Sequence, residues 1–347
     1  MARPSAAGTD ARPVTIYDVA REAGVSVSTV SRAFSRPGRV SADTARVVHE
    51  VAERLGYRAS SIYHPPRSSK TGMLGLLVSD VTNPFYLGII RGAELAAHQE
   101  GVSITLVDSQ ESQSLERRLV EHSLPNIDGL IVASSRVSDT DLRAIAKQVP
   151  VAILNRHVNG LACVLPDTRG GMQQVVDHLV GLGHRRMAYL AGPPTSWADG
   201  HRWRTFRDAC IGMGLVNHRA GPVPPTVRGG EEAVDEVLRD PVTAVVAYND
   251  LVAIGLMRAL IRRGVRVPAD ISIVGFDNTF ASDLVTPGLT TVAAPLAALG
   301  EQGVRAVLHP ASPSSRTGEP PVTLPVKLVV RGSSGPARVH PVDRRAG

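Results

Sequence analysis

Short apolar runs alternate with amphipathic helical segments from Met73 onward, and this alternation constrains the fold more than any other feature. Runs such as 74–78, 129–133 and 151–154 have the length and composition of strands that are buried on both faces. Strands that alternate with helices form parallel, doubly wound sheets with helices on both faces. Because about 260 residues carry the pattern, which suits two sheets better than one, we expect a two-lobed α/β domain over residues 73–332.

Polar side chains follow several of these predicted strands. In open α/β sheets, ligands bind beyond the carboxyl ends of the strands, so a ligand site is expected there. The polar residues at these ends are Asp80, Asn83, Asn155, Arg156, Asp167, Asn249, Asp250, Asp277 and Asn278. Asp250 has an alternative role, because it could cap a helix that begins at the next residue.

The segment 14–34 has a different period, typical of two short amphipathic helices around a glycine. Thr15 with Asp18 is a capping-box-like helix start, and Ser26 can cap the second helix. A helix-turn-helix of this kind places its second helix in the major groove of DNA, whereas the alternative is an ordinary helical hairpin. A third helix after Ser41 supplies enough apolar side chains for a small shared core.

Positive charge is concentrated at the same end of the chain. Residues 1–70 contain eleven Lys and Arg and six Asp and Glu, so they carry +5 of the net +6 of the whole chain. Charge segregated in this way indicates a polyanionic partner such as double-stranded DNA. It favours the DNA-binding interpretation of the helices over the ordinary hairpin.

Two segments of this chain resemble the DNA-binding headpiece of the LacI-type (LacI/GalR) family of bacterial transcriptional regulators: VTIYDVAREAGVSVSTVSRAF and VSADTARVVHEVAERLGY. The effector domain of that family resembles AYNDLVAIGLMRALIRRG and RVPADISIVGFDN. The resemblance covers Val14 to about Arg331. It implies a small all-α helix-turn-helix headpiece and a two-lobed α/β domain like the periplasmic sugar-binding proteins. It also implies a homodimer that is controlled by a small-molecule effector.

The resemblance further implies how the headpiece, residues 14–58, contacts DNA. The recognition helix is implied to present Val27, Ser28, Thr29 and Arg32, of which Val27 and Ser28 match the positions that most often contact base edges. Those implied to position phosphates are Thr15, Tyr17, Ser26 and Ser31. Arg32 is either a bidentate reader of guanine or a phosphate contact. A dimer with one headpiece on each half-site requires a pseudo-palindromic operator.

The linker, residues 59–72, departs from the family pattern. Pro66 stands where relatives have a leucine that a short hinge helix inserts into the minor groove, and Pro65 precedes it. Because proline inside a helix costs about 3 kcal/mol or more, a regular hinge helix is disfavoured. Pro66 is either a minor-groove wedge in its own right or part of a stiff linker that only sets the spacing of the headpieces.

The ligand site implied by the resemblance combines an aromatic wall with charged and amide side chains. Its members are Phe85, Tyr86, Asn155, Asp167, Arg202, Asn249, Asp250 and Asp277. Carboxylates and amides that face an aromatic wall suit a polyhydroxylated ligand, because each hydroxyl needs a hydrogen-bond partner once it is desolvated. We expect a sugar as the effector, with a nucleoside or another small polar metabolite as alternatives. Thr205 stands where the family usually has glycine, which predicts an altered cleft shape.

The remaining features concern localisation and chemistry. The leader, residues 1–13, lacks the apolar run of a secretion signal, and no segment suits a membrane span, so we expect a cytoplasmic protein without a membrane partner. The leader and the tail, residues 333–347, are expected to be disordered.

No catalytic or cofactor motif emerges from the sequence. There is no P-loop, G-x-S-x-G or H-E-x-x-H pattern, and Cys163 and Cys210 match no metal or redox spacing. We therefore expect neither an enzyme nor a metal or cofactor, and a ligand-controlled repressor is the leading interpretation. The competing one is an architectural DNA-binding protein that does not respond to a ligand.

Overall fold

A computed structural model describes four stretches of the chain, residues 15–35, 40–55, 70–310 and 320–338. Contacts divide the chain into two units, Met1–Lys70 and Thr71–Gly347. The predictions for the leader, for Pro66 with the linker up to residue 69, and for residues 339–347 lie outside the described residues.

Three helices make up the described part of the first unit: α1 (Ile16–Glu22), α2 (Val27–Ser35) and α3 (Ala42–Leu55). They bury a shared core of small apolar side chains, Val19, Ala20, Val30, Ala33, Val48, Val51 and Ala52. A core this small gives a folded unit only marginal stability. The three helices predicted from the sequence are therefore present, and they pack around one core.

The capping residues of the first two helices lie where the sequence places them. The Ser26 hydroxyl accepts a hydrogen bond from the backbone nitrogen of Thr29 at 3.1 Å, which satisfies one free N–H at the start of α2. At α1, the Asp18 carboxylate accepts from the backbone nitrogen of Thr15 at 2.9 Å and from its hydroxyl at 2.6 Å. Gly24, in the turn, has φ +65°, a left-handed conformation that glycine adopts without steric cost.

The second unit contains two lobes, each built around a six-stranded sheet. The first lobe begins with β1 (Met73–Val78), α4 (Pro84–Gln99), β2 (Ser103–Asp108), α5 (Gln113–Ser123), β3 (Gly129–Ala133), α6 (Asp139–Ile145), β4 (Val151–Leu154) and β5 (Ala162–Pro166). The second lobe follows with α7 (Thr168–Gly181), β6 (Arg186–Leu190), α8 (Trp197–Gly212), β7 (Val216–Ala220), α9 (Val227–Glu232), α10 (Val234–Arg239), β8 (Ala244–Ala247), α11 (Asp250–Arg262), β9 (Ser272–Asp277) and β10 (Thr290–Ala293). The last elements are α12 (Leu296–Leu308), β11 (Val322–Leu324) and β12 (Lys327–Val329).

The strand order is β11-β5-β4-β3-β1-β2 in the first lobe and β12-β10-β9-β8-β6-β7 in the second. All neighbouring strands are parallel except β10 and β12, which are antiparallel. The prediction of two parallel, doubly wound sheets is confirmed. The chain crosses between the lobes three times: after β5, after β10 and between β11 and β12. The second crossing returns the chain to the first lobe, where α12 packs on α4.

Glycines allow the principal helix pair of each lobe to approach closely. A Cβ atom at Gly92 of α4 would lie 1.9 Å from the carbonyl oxygen of Ala297 in α12, and one at Gly300 would lie 2.1 Å from a backbone oxygen of α4. In the second lobe, a Cβ atom at Gly255 of α11 would lie 1.9 Å from the carbonyl oxygen of Val227 in α9. Only glycine fits at these crossings, so the helices can pack with their backbones almost in contact.

The segment 333–338 corrects the prediction of a disordered tail that begins at residue 333. Ser333 is fully buried, and its hydroxyl donates to the carbonyl oxygen of Ile273 at 2.6 Å. Further along, the backbone nitrogen of Ala337 donates to the carbonyl oxygen of Leu182 at 2.8 Å. The Gly- and Pro-rich composition is misleading here, because backbone and hydroxyl groups rather than apolar side chains hold the segment to the second lobe.

Candidate functional sites

Helix α2 presents hydroxyl groups from its N-terminal half and one guanidinium group from its last turn to solvent. Ser28, Ser31 and Arg32 are exposed, as is Ser26 immediately before the helix. The Ser26 hydroxyl lies 2.9 Å from that of Ser28 and 2.8 Å from that of Thr29. Hydroxyls that both donate and accept, together with a guanidinium group, match the hydrogen-bonding groups of base edges and phosphates.

Three other residues of the predicted DNA-binding set lie on α1, just before it, or at the first residue of α2. Tyr17 on α1 is 69% exposed, and Thr15 is half-buried before that helix. Val27 is also half-buried and packs against the headpiece core, so only part of its side chain is free for an apolar contact. All the described members of the set therefore lie on α1, on α2 or at their starts.

A cleft between the two lobes brings together residues from both sheets. Its lining comprises Asn83, Phe85, Tyr86, Glu111, Ser134 and Asn155 from the first lobe, and Arg202, Pro225, Tyr248, Asn249 and Asp277 from the second. Six of the eight residues predicted from the sequence as ligand contacts are in this lining, namely Phe85, Tyr86, Asn155, Arg202, Asn249 and Asp277. The cleft is nearly closed, with a volume of about 10 Å³, which is about the room that one water molecule needs.

Left-handed backbone conformations place four of the lining side chains. Glu111 (φ +57°), Ser134 (φ +59°) and Asn155 (φ +57°) follow β2, β3 and β4, and Asp277 (φ +116°) ends β9. Such a conformation costs a residue with a side chain about 1–2 kcal/mol. Strain of this kind concentrates at functional sites, and here it turns the chain sharply at the carboxyl end of each strand.

Arg202 and Asp277 form a buried ion pair in the cleft. The Nη2 atom of Arg202 lies 3.0 Å from Oδ1 of Asp277, and the side chains are only 3% and 4% exposed. Nη1 donates to the carbonyl oxygen of Tyr248, and the guanidinium carbon lies 3.7 Å from the centre of the Phe276 ring. Among the described residues, Nε of Arg202 is buried without a hydrogen-bond partner. The hydrogen-bonding capacity of this buried guanidinium group is therefore not fully used.

Burial also changes the acidity of Asp277. It raises the pKa of this carboxyl group to about 7, although the Arg202 guanidinium opposes the change, and the nearby Asp250 carboxylate adds to it. Near neutral pH this carboxyl group is therefore present in both its ionised and its neutral form.

Tyr248 is a cleft residue that was not predicted from the sequence. It follows β8 and is 7% exposed, and its hydroxyl lies 3.1 Å from that of Ser196 at the start of α8. A Cβ atom at Gly192 would lie 2.5 Å from the Tyr248 ring, so glycine is needed beneath it. Sequence reasoning missed Tyr248 because an aromatic side chain directly after a strand resembles a core residue.

A second charged pair adjoins the cleft in the first lobe. Nε of Arg136 donates to the Glu111 carboxylate at 2.8 Å, and Nη1 donates to the carbonyl oxygen of Ser134 at 3.3 Å. Burial raises the pKa of the Tyr86 hydroxyl well above its usual value, so Tyr86 is a neutral hydrogen-bonding group. The aromatic wall continues to Phe85, whose ring meets that of Tyr86 edge to face at 5.0 Å.

Two amides of the cleft are fixed by their own hydrogen bonds. Nδ2 of Asn155 donates to the Ser134 hydroxyl at 3.0 Å. Oδ1 of Asn249 accepts from the backbone nitrogen of Val252 at 2.9 Å and thereby caps α11. These bonds orient both amides toward the cleft edge and leave part of their hydrogen-bonding capacity for other groups.

The structure does not bring Asp250 to the cleft lining. Its carboxylate is fully buried and accepts from Thr279 N at 2.7 Å, from Ser282 Oγ at 2.7 Å and from Thr291 Oγ1 at 2.5 Å. The alternative prediction, a helix cap, is wrong, because Asn249 occupies the capping position of α11. Asp250 instead anchors the loop after β9, because its three partners lie on that loop and on β10.

Asp167 and Thr205 also lie outside the cleft lining. Asp167 caps α7 by accepting from the backbone nitrogen of Gly170 at 2.9 Å, at the first crossing between the lobes. The Thr205 hydroxyl donates to the carbonyl oxygens of His201 at 2.9 Å and Arg202 at 3.0 Å, so it is turned onto its own helix. The predicted change in cleft shape stays a prediction, although the threonine hydroxyl is bonded to its own helix.

None of the helices in the described residues has both the length and the apolar character needed to cross a membrane. Within the same residues, no three or more His, Cys, Asp and Glu side chains are grouped so that they could hold a metal ion.

Two family models match the chain, one in each unit. The model of bacterial regulatory proteins of the lacI family matches residues 15–60, and the model of the periplasmic binding protein-like domain matches residues 176–334. Among characterised relatives, the transcriptional regulator DegA of Bacillus subtilis is 30% identical over 93% of this chain and 98% of its own length. The transcriptional regulator GalR of Escherichia coli is 32% identical over 85% of this chain and 88% of its own length.

Solved structures with the same fold include complexes with DNA and with sugars. A lac repressor dimer bound to operator and the anti-inducer ONPF has a TM-score of 0.68 and 28% identity, covering 93% of this chain and all of that one. A complex of the regulator CelR with cellobiose has a TM-score of 0.67 and 29% identity over the same shares. A regulator from Enterococcus faecium with bound ribose has a TM-score of 0.67 and 28% identity, covering 77% of this chain and all of that one.

Proposed function

Because this chain is a DNA-binding transcriptional regulator that belongs to the LacI family, we propose that it is a repressor whose hold on its operator depends on a sugar bound between its lobes. The proposal comprises a cytoplasmic homodimer on a pseudo-palindromic operator, with one headpiece on each half-site. The lac repressor structure, a dimer bound to operator, supports the assembly. No catalytic activity, metal or cofactor is part of the proposal.

The observation that carries the ligand assignment is the mixture of groups in the cleft. The lining combines carboxylates (Glu111, Asp277), amides (Asn155, Asn249) and the guanidinium group of Arg202 with the aromatic rings of Phe85, Tyr86 and Tyr248. A sugar ring offers hydroxyls that donate and accept, together with C–H faces that pack on aromatic rings, so it matches both parts of the lining. Cellobiose in CelR and ribose in the Enterococcus faecium regulator support this ligand class.

The closed cleft gives the proposal a mechanism. Several polar groups of the cleft form hydrogen bonds with one another: Arg202 bonds Asp277, and Asn155 bonds Ser134. A sugar must replace these internal bonds with its own hydroxyls, and it needs far more room than about 10 Å³. Its binding therefore requires a rearrangement of the lobes or of Tyr248. If the ligand binds one arrangement of the lobes more tightly than the other, it shifts the equilibrium between them. This shift changes the affinity for DNA when the two arrangements bind DNA differently.

On DNA, we propose that Ser28, Thr29 and Val27 read base edges from α2, with Arg32 as either a guanine reader or a phosphate contact. Thr15, Tyr17, Ser26 and Ser31 would position the phosphates. The exposure of Ser26, Ser28, Ser31 and Arg32 on or immediately before α2 supports a DNA-contacting role for this helix. Pro65 and Pro66 would form a stiff linker that sets the spacing of the headpieces.

The first experiment is selection of genomic fragments by the full-length protein at low and at near-physiological salt. Because nonspecific phosphate binding weakens steeply with salt, a specific operator is the sequence that survives the higher salt. Enrichment of a pseudo-palindrome is the expected result. Salt-sensitive binding without a motif would overturn the assignment of a specific repressor and support an architectural role.

The ligand assignment is tested by thermal shift with a panel of monosaccharides and disaccharides, since a ligand that binds the folded state raises its Tm by mass action. At least one sugar should raise the Tm of the wild type and of Arg207→Gln, an exposed arginine on the same helix that pairs with Asp208. The same sugar should not shift Arg202→Gln. A response that Arg202→Gln retains would remove the cleft from the ligand site.

A further inference from the structure

The first lobe contains a second cavity, which is larger than the cleft. It has a volume of about 190 Å³ and lies between α5, α6 and one face of the sheet. Its walls are mainly apolar: Leu77, Val120, Leu124, Leu130, Val132, Val137, Leu142 and Ile145. None of the described residues that line it also lines the cleft. It is therefore a separate space.

A buried carboxylate belongs to the lining of this cavity. Glu116 of α5 is fully buried, and its two oxygens accept from the hydroxyl of Ser135 and from the backbone nitrogen of Arg136, the latter at 3.0 Å. A carboxylate can accept about four hydrogen bonds. Burial among apolar side chains raises the pKa of Glu116, which reflects incomplete compensation of its charge. A small molecule with an N–H or O–H group would supply the kind of partner that this carboxylate can still accept.

The mouth of the cavity is polar and carries opposite charges. Arg117 on α5 and Asp141 on α6 form an ion pair across it at 2.7 Å, and both side chains are partly exposed. Glu121 and Gln148 complete the polar edge. An ion pair on the surface opens at little cost, so it does not bar entry.

We propose that this cavity is a binding site for a small neutral aromatic molecule with one hydrogen-bond donor, of the size of phenol or indole. An apolar cavity of about 150 Å³ in another protein stays dry and binds benzene, so the space here is sufficient for one or two fused rings. The apolar walls exclude a sugar, whose hydroxyls would find too few partners. The apolar walls disfavour any charged molecule, and the carboxylates of Glu116, Glu121 and Asp141 against the single guanidinium group of Arg117 disfavour an anion in particular.

The cavity and the cleft share the loop of residues 134–136. Glu116 binds this loop from the cavity side, while Arg136 of the loop holds Glu111, which lines the cleft. A ligand that draws on the Glu116 carboxylate therefore acts on hydrogen bonds of the cleft wall. Occupancy of one site should change affinity at the other by the same factor in both directions. This consequence rests on the proposed function of the cleft, whereas the cavity site itself does not.

The test uses 5-fluoroindole as the probe and the full-length protein. Saturable broadening of the ¹⁹F signal, with binding heat in calorimetry, is expected for the wild type. Val120→Phe fills the cavity from α5 and should weaken binding at least tenfold. Leu119→Phe makes a similar enlargement on the same helix but outside the lining, and it should change the affinity by less than twofold.

A second variant protects the test against misfolding. Ala144 lies at the mouth and is exposed, so Ala144→Trp can cover the cavity without disturbing the core. It should also weaken binding at least tenfold while leaving the thermal unfolding midpoint unchanged. Absence of saturable binding to the wild type would overturn the proposal. Binding that persists in Ala144→Trp and Val120→Phe would do the same, because the probe would then occupy the cleft or another surface.

Discussion

Replacing Arg202 by methionine should destabilise the second unit by about 3–5 kcal/mol. Methionine has a similar length and no hydrogen-bond donors, so the substitution leaves the Asp277 carboxyl group buried without its cation. It also removes the bond to the carbonyl oxygen of Tyr248 and the contact of the guanidinium group with the Phe276 ring. The expected loss in the free energy of unfolding is therefore about 3–5 kcal/mol, which is typical of removing one partner from a buried ion pair. A surface ion pair would contribute only about 0–1 kcal/mol.

The cost should also depend on pH, in a direction set by Asp277. Its pKa of about 7 in the folded protein lies above the unfolded value of about 3.9. This group therefore lowers the free energy of unfolding as pH rises from about 4 to about 7, and no further above that. Without Arg202, which lowers the pKa, the decline should continue above pH 7 by up to about 1.4 kcal/mol per pH unit. The difference between variant and wild type should therefore grow between pH 7 and pH 8.

Urea unfolding at pH 6, 7 and 8, followed by tryptophan fluorescence, measures both effects. Both tryptophans of the chain lie in α8, so their emission reports on the second lobe. Arg207→Met, on the same helix but exposed, should change the free energy of unfolding by less than about 0.5 kcal/mol at each pH. The double variant Arg202→Met/Asp277→Asn should not show the decline of the free energy of unfolding above pH 7 that is expected for Arg202→Met alone. A cost below about 1 kcal/mol, or one identical at the three pH values, would refute the reasoning.

Three further substitutions test other parts of the molecule. Arg32→Ala should weaken operator binding far more than binding to random DNA in titrations at fixed salt; equal losses would make Arg32 a phosphate contact. Gly92→Ala should lower the free energy of unfolding by more than about 3 kcal/mol, measured by thermal or urea unfolding, because its Cβ would overlap a backbone carbonyl of α12. The control is Gly181→Ala, where a Cβ meets no atom within 4 Å. It should be neutral or stabilising by up to about 1 kcal/mol. Replacing Pro65 by alanine together with Pro66 by leucine should raise operator affinity and DNA bending, measured by gel shift on permuted fragments; unchanged bending would contradict the view that the prolines suppress a hinge helix.

The fold could be predicted where strands are buried on both faces. The apolar runs 129–133 and 151–154 coincide with β3 and β4, because burial on both sides leaves an uninterrupted apolar signal. The strands β11 and β12 give no such signal. Each has three residues, and each is held by pairing with a strand that is distant in the sequence. Short segments stabilised by distant partners cannot be found from local pattern.

The cleft could be predicted in part for a related reason. Asn155, Asn249 and Asp277 stand at the ends of apolar runs, where the α/β topology places ligands. Glu111 and Ser134 were missed, because left-handed backbone conformations bring them to the same edge of the sheet. A positive φ cannot be predicted from residue types such as Glu and Ser. Asp250 has the right position in the sequence, but the first turn of α11 buries it under the loop after β9.

The three crossings between the lobes have a consequence for how the protein is made. The first lobe receives α12 and β11 only after the whole second sheet up to β10 has been synthesised. About 250 residues separate β1 from β11, so at about 5–20 residues per second a ribosome needs roughly 12–50 s to supply the missing parts. For most of that time, until α12 is made about 200 residues after α4, the glycine-lined face of α4 has no partner helix. The first lobe therefore stays incomplete, with apolar surface exposed, while the second lobe is being synthesised. Neither lobe can be completed before the other is almost made.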